Sequence, residues 1–271
     1  MKLLSFEVDG QVRAGALRGD EVVQLGSSML DLLAGELPQI DSGTCAYPLD
    51  SVELLAPVPH PPKLLACAGN YQEHITEGGL KPVDKSKVVP RLFMKPGTTV
   101  LAPGAPLHLP EVTREVDWEL ELAVVMGSHG QVAGYTVIND ISARSLDWGV
   151  ERDLTEWDRF FDWLNGKWLD GFAPMGPWLV TADEIANPQT LTLELRLNGE
   201  VRQHASTSQM IFGVTELMSF ASRFMTLEPG DVIATGTPAG VGHTSGTFLK
   251  PGDVMEGSIE GIGVLRTPVE A

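Results

Sequence analysis

Cysteine, clustered positive charge and long apolar runs are all scarce in this chain of 271 residues. Its two cysteines, Cys45 and Cys67, are too few for a disulfide framework, and we interpret both as free thiols. No run of lysine or arginine is present, although a nucleic-acid-binding protein needs one to displace counterions from phosphates. No apolar segment approaches the roughly 20 residues that span a bilayer. The sequence therefore predicts neither a nucleic-acid partner nor a membrane-spanning protein.

Acidic residues, in contrast, are in large excess, and the formal net charge is -17. Such a charge repels an anionic ligand at long range, so a site for a carboxylate substrate needs a local cation. The N-terminal sequence already turns acidic at Glu7, which is too early for the apolar core of a signal peptide. We therefore expect a cytoplasmic protein.

The sequence favours a mainly β (α+β) fold in two parts. Short alternating apolar segments predict three strands over residues 2–25, and a short helix is predicted over residues 29–34 with Ser27 or Ser28 as its cap. The proline-rich residues 56–62 have the composition of a linker. We therefore predict a small N-terminal β-rich module, residues 1–58, followed by a main domain, residues 59–271.

Turn signals extend the β prediction through the main domain. Residues 191–197 alternate between apolar and polar, and Asn198-Gly199 turns the chain back into residues 200–203, as in a two-residue hairpin. Pro-Gly-Asp turns at residues 229–231 and 251–253 each lead into an apolar strand. Many short strands joined by tight turns are therefore expected.

Two segments carry helical periodicity instead. One is capped by Ser208 and would bury apolar residues as far as Phe224. The other covers roughly residues 149–164, with apolar residues at helical spacing and acidic residues between them. The first is most simply a core helix. The second could pack on the sheet, cover a site as a lid or contact a second subunit.

An acidic strand, residues 117–125, is the most informative segment. Alternation puts Asp117, Glu119 and Glu121 on one face. Carboxylates this close repel one another unless a cation neutralises them. Because apolar residues continue the same face, we expect it to point inward, which favours a metal site over a solvated surface. Oxygen ligands suit Mg²⁺, Mn²⁺ or Ca²⁺.

A fourth acid and a histidine extend the candidate site. Asp140 ends a strand that a hairpin would place beside the acidic strand, although a strand-end turn would also explain it. His74 and Glu77 lie three residues apart after a buried strand, so a helical turn lets them touch. Glu77 would then fix the tautomer of His74 and make its other ring nitrogen a base. A solvated helix face explains this spacing at least as well.

Several motifs follow one another in chain order through most of residues 64–266. They are Gly69-Asn70-Tyr71 with His74 and Glu77; Phe93-Met94-Lys95-Pro96; Asp117-Trp118-Glu119-Leu120-Glu121; Gly134-Tyr135 to Asn139-Asp140; Gly166-Lys167; Gly171-Phe172-Ala173-Pro174-Met175-Gly176-Pro177-Trp178; Leu227 to Pro238; and Phe248-Leu249-Lys250-Pro251-Gly252-Asp253. Each motif alone is weak, but the ordered set is specific. Together they resemble the fumarylacetoacetate hydrolase family.

The resemblance implies a mixed, rolled β-sheet, a homodimer and a divalent metal ion in each site. It also assigns roles to residues of this chain by their position in the motifs. The implied residues are the metal ligands Glu119, Glu121 and Asp140, the catalytic residues His74, Glu77 and Lys167, and the substrate contacts Tyr71, Lys95, Arg144 and Thr237. Lys95 and Arg144 have a structural alternative, in which they only balance neighbouring carboxylates.

One stretch departs from the family pattern. Many members continue Ser-Ala-Arg with Asp and, two positions later, Gln, whereas this chain has Ser145 and Asp147. The segment from there to Lys167 is also longer than is typical. The departure bears on the choice of substrate and of reaction.

The resemblance implies a divalent-metal-dependent hydrolase that cleaves a C–C bond in a small anionic 1,3-dicarbonyl or 2-oxo acid through a metal-stabilised enolate. The expected cofactor is Mg²⁺, with Mn²⁺ or Ca²⁺ as alternatives. An oxaloacetate-type decarboxylase, and an isomerase or tautomerase of a 2-hydroxy-diene dioate, would use the same enolate. Alternatives of another class are a non-catalytic metal- or acid-binding protein and a structural dimer module.

Overall fold

Strands dominate the computed structural model, which describes residues 1–36 and 44–271. The predicted mainly β fold is therefore confirmed. The strands, in chain order, are β1 (Lys2–Val8), β2 (Gln11–Arg18), β3 (Glu21–Gly26), β4 (Ala46–Pro48), β5 (Glu53–Leu55), β6 (Leu64–Ala68), β7 (Arg91–Lys95), β8 (Val100–Leu101), β9 (Leu107–His108), β10 (Val116–Asp117), β11 (Leu120–Met126), β12 (Val132–Asn139), β13 (Ser142–Ala143), β14 (Ala173–Thr181), β15 (Thr192–Leu197), β16 (Glu200–Ser206), β17 (Val232–Ala234), β18 (Val254–Ile259) and β19 (Gly263–Glu270).

The helices are few and short. Within the described ranges, no helix is long and apolar enough to cross a membrane. The α-helices are α1 (Met29–Ala34), α2 (Gln72–Glu77), α3 (Glu156–Asn165), α4 (Val214–Ala221) and α5 (Gly242–Ser245), and single 3₁₀ turns lie at Leu49–Ser51, Lys85–Lys87, Gly97–Thr99, Ser128–Gly130, Ala182–Glu184 and Thr207–Gln209.

Twelve strands form one large mixed sheet, as the predicted fold class requires. Its main path runs β4-β3-β2-β1-β14-β12-β11-β17-β6-β7, with β5 paired to β1 and β8 paired to β14. Most neighbours are antiparallel, but β17 is parallel to β6 and β8 is parallel to β14. A separate five-stranded sheet has the order β16-β15-β18-β19-β9, and β10 pairs with β13.

The N-terminal strands continue the large sheet, because β1 pairs antiparallel with β14. The three strands predicted over residues 2–25 and the short helix α1 are confirmed, and the side chain of Ser28 caps α1. Residues 37–43 of the predicted N-terminal module lie outside the described residues. The division of the chain at residue 58 stays a prediction.

Strand β11 shows how the two sheets share the core. All its residues are buried. Leu120, Leu122 and Val124 pack in one apolar cluster with residues of β15, on the side of the five-stranded sheet. Ala123 and Val125 point the other way and pack in a second cluster that contains α1. The expectation that the face of Glu121 points into an interior is therefore confirmed.

Strand ends from distant parts of the chain meet at one edge of the large sheet. Because β6 and β17 are parallel, their C-terminal ends lie at the same edge. Strand β11 is antiparallel to β17 and therefore begins there, and its hairpin partner β12 ends there. The segments that start at Gly69, Thr235 and Asp140 consequently lie side by side, and they carry the predicted site residues.

The helix predicted from Ser208 begins later than expected. The structure has α4 at Val214–Ala221 with Gly213 as its N-cap, and Phe224 beyond it is 68% exposed. The 3₁₀ turn at Thr207–Gln209 does not continue into α4, because Ile211 N donates to the carbonyl oxygen of Asn70. Long-range pairing thus overrides the apolar periodicity.

The helix predicted over residues 149–164 also starts later, at Glu156. Thr155 and Asp158 form a capping box that fixes the start of α3, and Gly149 before it has a φ of +67°. No residue of α3 is buried, and Trp157 is 72% exposed. Packing as a core helix is therefore wrong for this chain alone. The lid and subunit-contact alternatives stay predictions, as does the homodimer.

A buried ion pair holds the start of β17, the strand that leads into Thr235. Asp231 is fully buried at the start of β17, and Lys63 Nζ lies 2.8 Å from its Oδ2 just before β6. The same oxygen accepts a hydrogen bond of 2.7 Å from Glu228 N in the predicted Pro-Gly-Asp turn. The pair thus fixes the adjacent starts of both parallel strands.

We predict that Lys63→Met lowers the free energy of unfolding by about 3 kcal/mol, because it leaves the buried Asp231 carboxylate unpaired. Urea unfolding at pH 7 measures the effect. The matched control is Lys85→Met, which breaks the exposed ion pair with Glu216 and should cost less than about 1 kcal/mol. Equal losses in the two variants would contradict the role of Lys63.

The same variant gives a pH dependence. Burial opposes the charged form of Lys63, but hydrogen bonds to Asp231 and Glu228 outweigh it and raise its pKa. Stabilisation by Lys63 is therefore complete below the unfolded-state pKa of about 10.4 and is lost as the pH rises through the raised pKa. The difference between wild type and Lys63→Met should therefore shrink as the pH rises through that alkaline range.

Candidate active site

A small cleft at the shared edge of β6, β17, β11 and β12 gathers most of the predicted site residues. Its volume is about 90 Å³, which is small beside the roughly 300 to 1,000 Å³ of most ligand pockets. The residues that line it are Cys67, Ala68, Gly69, His74, Phe93, Glu119, Asp140, Arg144, Trp163, Lys167 and Thr237.

Three buried carboxylates lie close together at these strand ends. One oxygen atom from each of Glu119, Glu121 and Asp140 lies within 4.8 Å of the others. The hairpin of β11 and β12 brings them together, since Asp140 N donates to the carbonyl oxygen of Glu119 at 2.8 Å. Asn139 holds the same turn, because its Oδ1 accepts from Glu119 N at 2.8 Å. The expected proximity of Asp140 to the acidic strand is thus confirmed.

Asp117 does not share this cluster, so the predicted single acidic face is wrong at that residue. The strand is interrupted at Trp118 and Glu119, between β10 and β11, and the alternation is lost there. The carboxylate of Asp117 instead accepts a hydrogen bond of 2.8 Å from Arg144 Nε. A uniform strand period cannot reveal such a break.

Three cationic side chains contact the carboxylates. Lys167 Nζ lies 2.7 Å from Glu119 Oε2 and 2.8 Å from Asp140 Oδ2. Arg144 Nη2 donates to Glu119 Oε1 at 2.6 Å. Lys95 Nζ donates to Asp140 Oδ1. Both lysines are almost completely buried, so these ion pairs lie in an environment where an unpaired charge is costly.

The pKa shifts follow from these contacts. Burial opposes ionisation of Glu119, but Lys167 and Arg144 outweigh it and lower the pKa of that carboxyl. Burial, together with the neighbouring charges of Asp140 and Glu119, raises the pKa of Glu121 well above its ordinary value. Burial also disfavours the charged form of Lys167, yet the two carboxylates that it contacts raise its pKa. The protonated form of Lys167 is therefore favoured. The charged form of Glu121 is disfavoured unless a cation lies beside it.

The donor set and the charge balance fit a divalent cation. Glu119, Glu121, Asp140 and Asp117 supply four buried carboxylates, and their partners are two lysines and one arginine. Among the described residues, no lysine or arginine forms an ion pair with Glu121. Carboxylate oxygens are the ligands that Mg²⁺, Mn²⁺ and Ca²⁺ prefer. Glu119, Glu121 and Asp140 would hold such an ion, which would remove the repulsion at Glu121.

The predicted contact between His74 and Glu77 is confirmed. Both lie on α2, and His74 Nδ1 is 2.8 Å from Glu77 Oε1. The other oxygen of Glu77 accepts from Gly240 N at 2.8 Å, so the carboxylate is fixed on both sides. His74 lines the cleft and keeps one ring nitrogen outside the contact with Glu77. Its catalytic role stays a prediction.

The four predicted substrate contacts divide into two pairs. Arg144 and Thr237 line the cleft. Tyr71 is 2% exposed, with its ring in the apolar core, and Lys95 is 3% exposed behind Asp140. Neither Tyr71 nor Lys95 lines the cleft in this structure, and direct substrate contact stays a prediction for both. Lys95 takes the alternative role of balancing a carboxylate.

Two residues of this site were missed by the sequence analysis. Gln203 of β16 is fully buried; its Nε2 donates to Thr237 Oγ1 at 2.8 Å and its Oε1 accepts from Leu120 N at 3.0 Å. A polar residue on the inward face of a strand was the available signal. Trp163 of α3 forms a cleft wall with Phe93, their ring centroids 5.0 Å apart.

Neither Cys67 nor Asp147 offers a reactive group to the cleft. Burial raises the pKa of Cys67 to about 12, so its thiol stays protonated and is no nucleophile at neutral pH. Asp147, at the position where the family pattern has Gln, is exposed, and its Oδ1 accepts from Gly149 N at 2.8 Å. This carboxylate closes a local turn and does not line the cleft.

Family models match both parts of the chain. The model described as fumarylacetoacetate (FAA) hydrolase C-terminal matches residues 63–270. The model described as Rv2993c-like, N-terminal matches residues 1–57.

Among curated relatives, the oxaloacetate tautomerase fahd2, mitochondrial, of Xenopus laevis is 38% identical over 261 residues. The match covers 92% of this chain and 77% of the relative. That relative is named as mitochondrial, and the cytoplasmic location of this chain stays a prediction.

Solved structures cover the whole chain. The fumarylacetoacetate hydrolase of Exiguobacterium antarcticum has a TM-score of 0.82 and 36% identity, and 99% of it is covered. A 5-carboxymethyl-2-hydroxymuconate delta-isomerase of Mycobacterium smegmatis has a TM-score of 0.79 and 30% identity, with the same coverage. A maleylpyruvate hydrolase of Sphingobium sp. SYK-6, in complex with manganese (II) ion and pyruvate, has a TM-score of 0.76, 29% identity and again 99% coverage.

We predict that Glu121→Gln weakens Mn²⁺ binding by about tenfold or more, because it removes a negatively charged ligand. The metal-free protein should lose less than about 1 kcal/mol, since the neutral amide resembles the protonated acid that burial favours. Mn²⁺ titration by electron paramagnetic resonance, together with urea unfolding in EDTA, measures both quantities.

The control for this prediction is Glu111→Gln, which removes an exposed carboxylate outside the cluster. Wild-type Mn²⁺ affinity in Glu121→Gln would mean that the three carboxylates do not form the metal site.

Proposed function

The chain belongs to the fumarylacetoacetate hydrolase family and is therefore an enzyme; we propose that, with a bound divalent cation, it interconverts the keto and enol forms of a small 2-oxo acid of the oxaloacetate type. The observation that carries the proposal is the placement of His74 in the wall of a small cleft that also contains Glu119, Asp140 and Lys167. A base, an acid and a candidate cation site thus border one space. The name of the Xenopus laevis relative supports this reaction.

Local charge supports an anionic substrate despite the acidity of the whole chain. The four buried carboxylates exceed their three cationic partners by one charge. A divalent cation would turn this into one excess positive charge. The substrate carboxylate would therefore meet a positive site, with Arg144 in its wall.

Two residues of the chain can move and hold the protons of enolisation. His74, fixed by Glu77, would take the proton from the carbon next to the carbonyl group. Lys167, kept protonated by its two carboxylates, would donate a hydrogen bond to the oxygen on which negative charge develops. The bound cation would supply Lewis-acid polarisation of the same carbonyl group.

The size of the cleft supports a short substrate. A volume of about 90 Å³ accommodates a small dicarboxylate better than a long acylpyruvate or diene dioate. Phe93 and Trp163 line part of the cleft with aromatic rings, and Lys167 Nζ lies 5.6 Å from the centroid of the Phe93 ring. These rings limit the length of the substituent that a substrate can carry beyond its 2-oxo acid group.

Hydrolytic C–C cleavage is the second candidate, and the His74–Glu77 pair favours it. An imidazole held by a carboxylate can activate water for attack on a carbonyl group. The solved maleylpyruvate hydrolase with manganese and pyruvate supports the same assignment. Decarboxylation of a 2-oxo acid would use the same stabilised enolate without water attack. The three reactions differ in their products.

We predict Mn²⁺- or Mg²⁺-dependent loss of enol-oxaloacetate without loss of carbon, followed by ultraviolet absorbance and by NMR of the product. EDTA should abolish the acceleration, since the cation is proposed to polarise the carbonyl group. Acetylpyruvate and a 2-hydroxy-diene dioate are tested in parallel. Formation of pyruvate and CO₂ would identify a decarboxylase, and acetate from acetylpyruvate would identify a hydrolase. No turnover of any of them despite Mn²⁺ binding would contradict the proposal.

We predict that His74→Ala lowers kcat on the true substrate by about 10²- to 10⁴-fold, the usual worth of a general base. The matched control is His204→Ala, because His204 is largely exposed and lies outside the cleft. Steady-state kinetics at saturating metal compares the two variants. Full activity of His74→Ala would show that another group is the base.

A further inference from the structure

The carboxylate of Asp117 is completely buried and fully hydrogen-bonded, yet it lies outside the carboxylate cluster. Its Oδ1 accepts from the backbone N–H of Trp118 at 2.8 Å and of Gly242 at 2.6 Å. Its Oδ2 accepts from His243 N at 3.0 Å and from Arg144 Nε at 2.8 Å. A carboxylate with this many donors holds one position.

One arm of these contacts reaches the candidate metal site. Arg144 Nη2 lies 2.7 Å from Asp117 Oδ2 and 2.6 Å from Glu119 Oε1, so the guanidinium bridges the two acids. Because Arg144 pairs with both acids, it neutralises the negative charge of Glu119 only in part. The remaining charge can attract a cation. Without the contact to Asp117, Arg144 would pair with Glu119 alone and compete with the metal ion.

The other arm reaches the His74–Glu77 pair through residues 240–244, the 240–244 loop, which includes the start of α5. Asp117 holds this loop by two of its backbone N–H groups, and Trp118 Nε1 donates to the carbonyl oxygen of Gly240 at 3.0 Å. Gly240 N in turn donates to Glu77 Oε2 at 2.8 Å. Two neighbouring residues therefore fix the loop that fixes Glu77.

We propose that Asp117 is a positioning residue that couples the metal-binding carboxylates to the His74–Glu77 pair, through Arg144 on one side and the 240–244 loop on the other. Asp117 does not line the cleft. It would act by fixing the carboxylate cluster relative to the His74–Glu77 pair. The catalytic half of this inference rests on the proposed function; the metal half does not.

The first test measures Mn²⁺ affinity in Asp117→Asn, which keeps the size of the side chain and removes its charge. We expect binding about tenfold weaker than in the wild type, because Arg144 then pairs with Glu119 alone. The matched control is Asp231→Asn, which removes another completely buried carboxylate away from the site and should bind Mn²⁺ like the wild type. Both are measured below their melting temperatures.

The second test is a double-mutant cycle with Glu77→Gln at saturating Mn²⁺. We expect Asp117→Asn to lower kcat about 10- to 100-fold while KM changes less than about threefold. In the Glu77→Gln background the further loss should fall below about threefold, because both changes disable the same pair. A residue needed only for folding would give effects that multiply.

A readout independent of turnover separates this inference from the proposed function. The ¹⁵N chemical shifts of the His74 ring report its tautomer, and Asp117→Asn should change them while Asp231→Asn should not. If the wild type turned over no 2-oxo acid, the proposed function would fail, and Mn²⁺ affinity with these shifts would still decide the coupling. Wild-type Mn²⁺ affinity, unchanged shifts or multiplying effects in Asp117→Asn would each overturn it.

A milder variant covers the case in which Asp117→Asn does not fold. Thr244 is exposed, and its hydroxyl oxygen lies 3.3 Å from Glu77 Oε2 and 2.9 Å from the carbonyl oxygen of Val241. Thr244→Val should lower kcat about threefold, and the loss should vanish in the Glu77→Gln background. The same loss in both backgrounds would overturn the loop arm.

Discussion

Buried carboxylates that outnumber their cationic partners are the constraint on which the rest of this site depends. Each acid is too costly to bury alone, and each accepts hydrogen bonds from a lysine, an arginine or backbone N–H groups. Glu121 is the one that lacks a cationic side chain among the described residues. This excess of negative charge favours a divalent cation, and the added cation would in turn favour an anionic substrate.

The large sheet meets this constraint by topology. The pairing of β6 with β17, and of β17 with β11, places strand ends from three distant segments at one edge. The second sheet contributes Gln203, which fixes the Thr237 loop from outside the large sheet. Side chains held at the ends of several paired strands keep their spacing better than side chains on one flexible loop would.

Local signals carried much of the sequence analysis. The Asn198-Gly199 hairpin, the Ser28 cap and the His74–Glu77 contact depend on neighbours within a few residues, and the structure contains all three. Features set by distant partners were mispredicted: the hydrogen bond from Ile211 N to Asn70 delays α4, and Asp117, after which the strand breaks, is held by Gly242 and His243 outside the carboxylate cluster. The grouping of Glu119, Glu121 and Asp140 was predictable because a single hairpin creates it.

Helix α3 has a consequence for how such an enzyme can diverge. It buries none of its residues, and Arg152 Nη1 in the preceding loop contacts both carboxylate oxygens of Asp162. At its end, Trp163 forms part of the cleft wall. Replacement of residues in α3 can therefore reshape the entrance at little cost to the stability of the sheets. Substrate range can drift among descendants of this chain while the carboxylate cluster stays fixed, which makes α3 the natural segment to randomise in directed evolution.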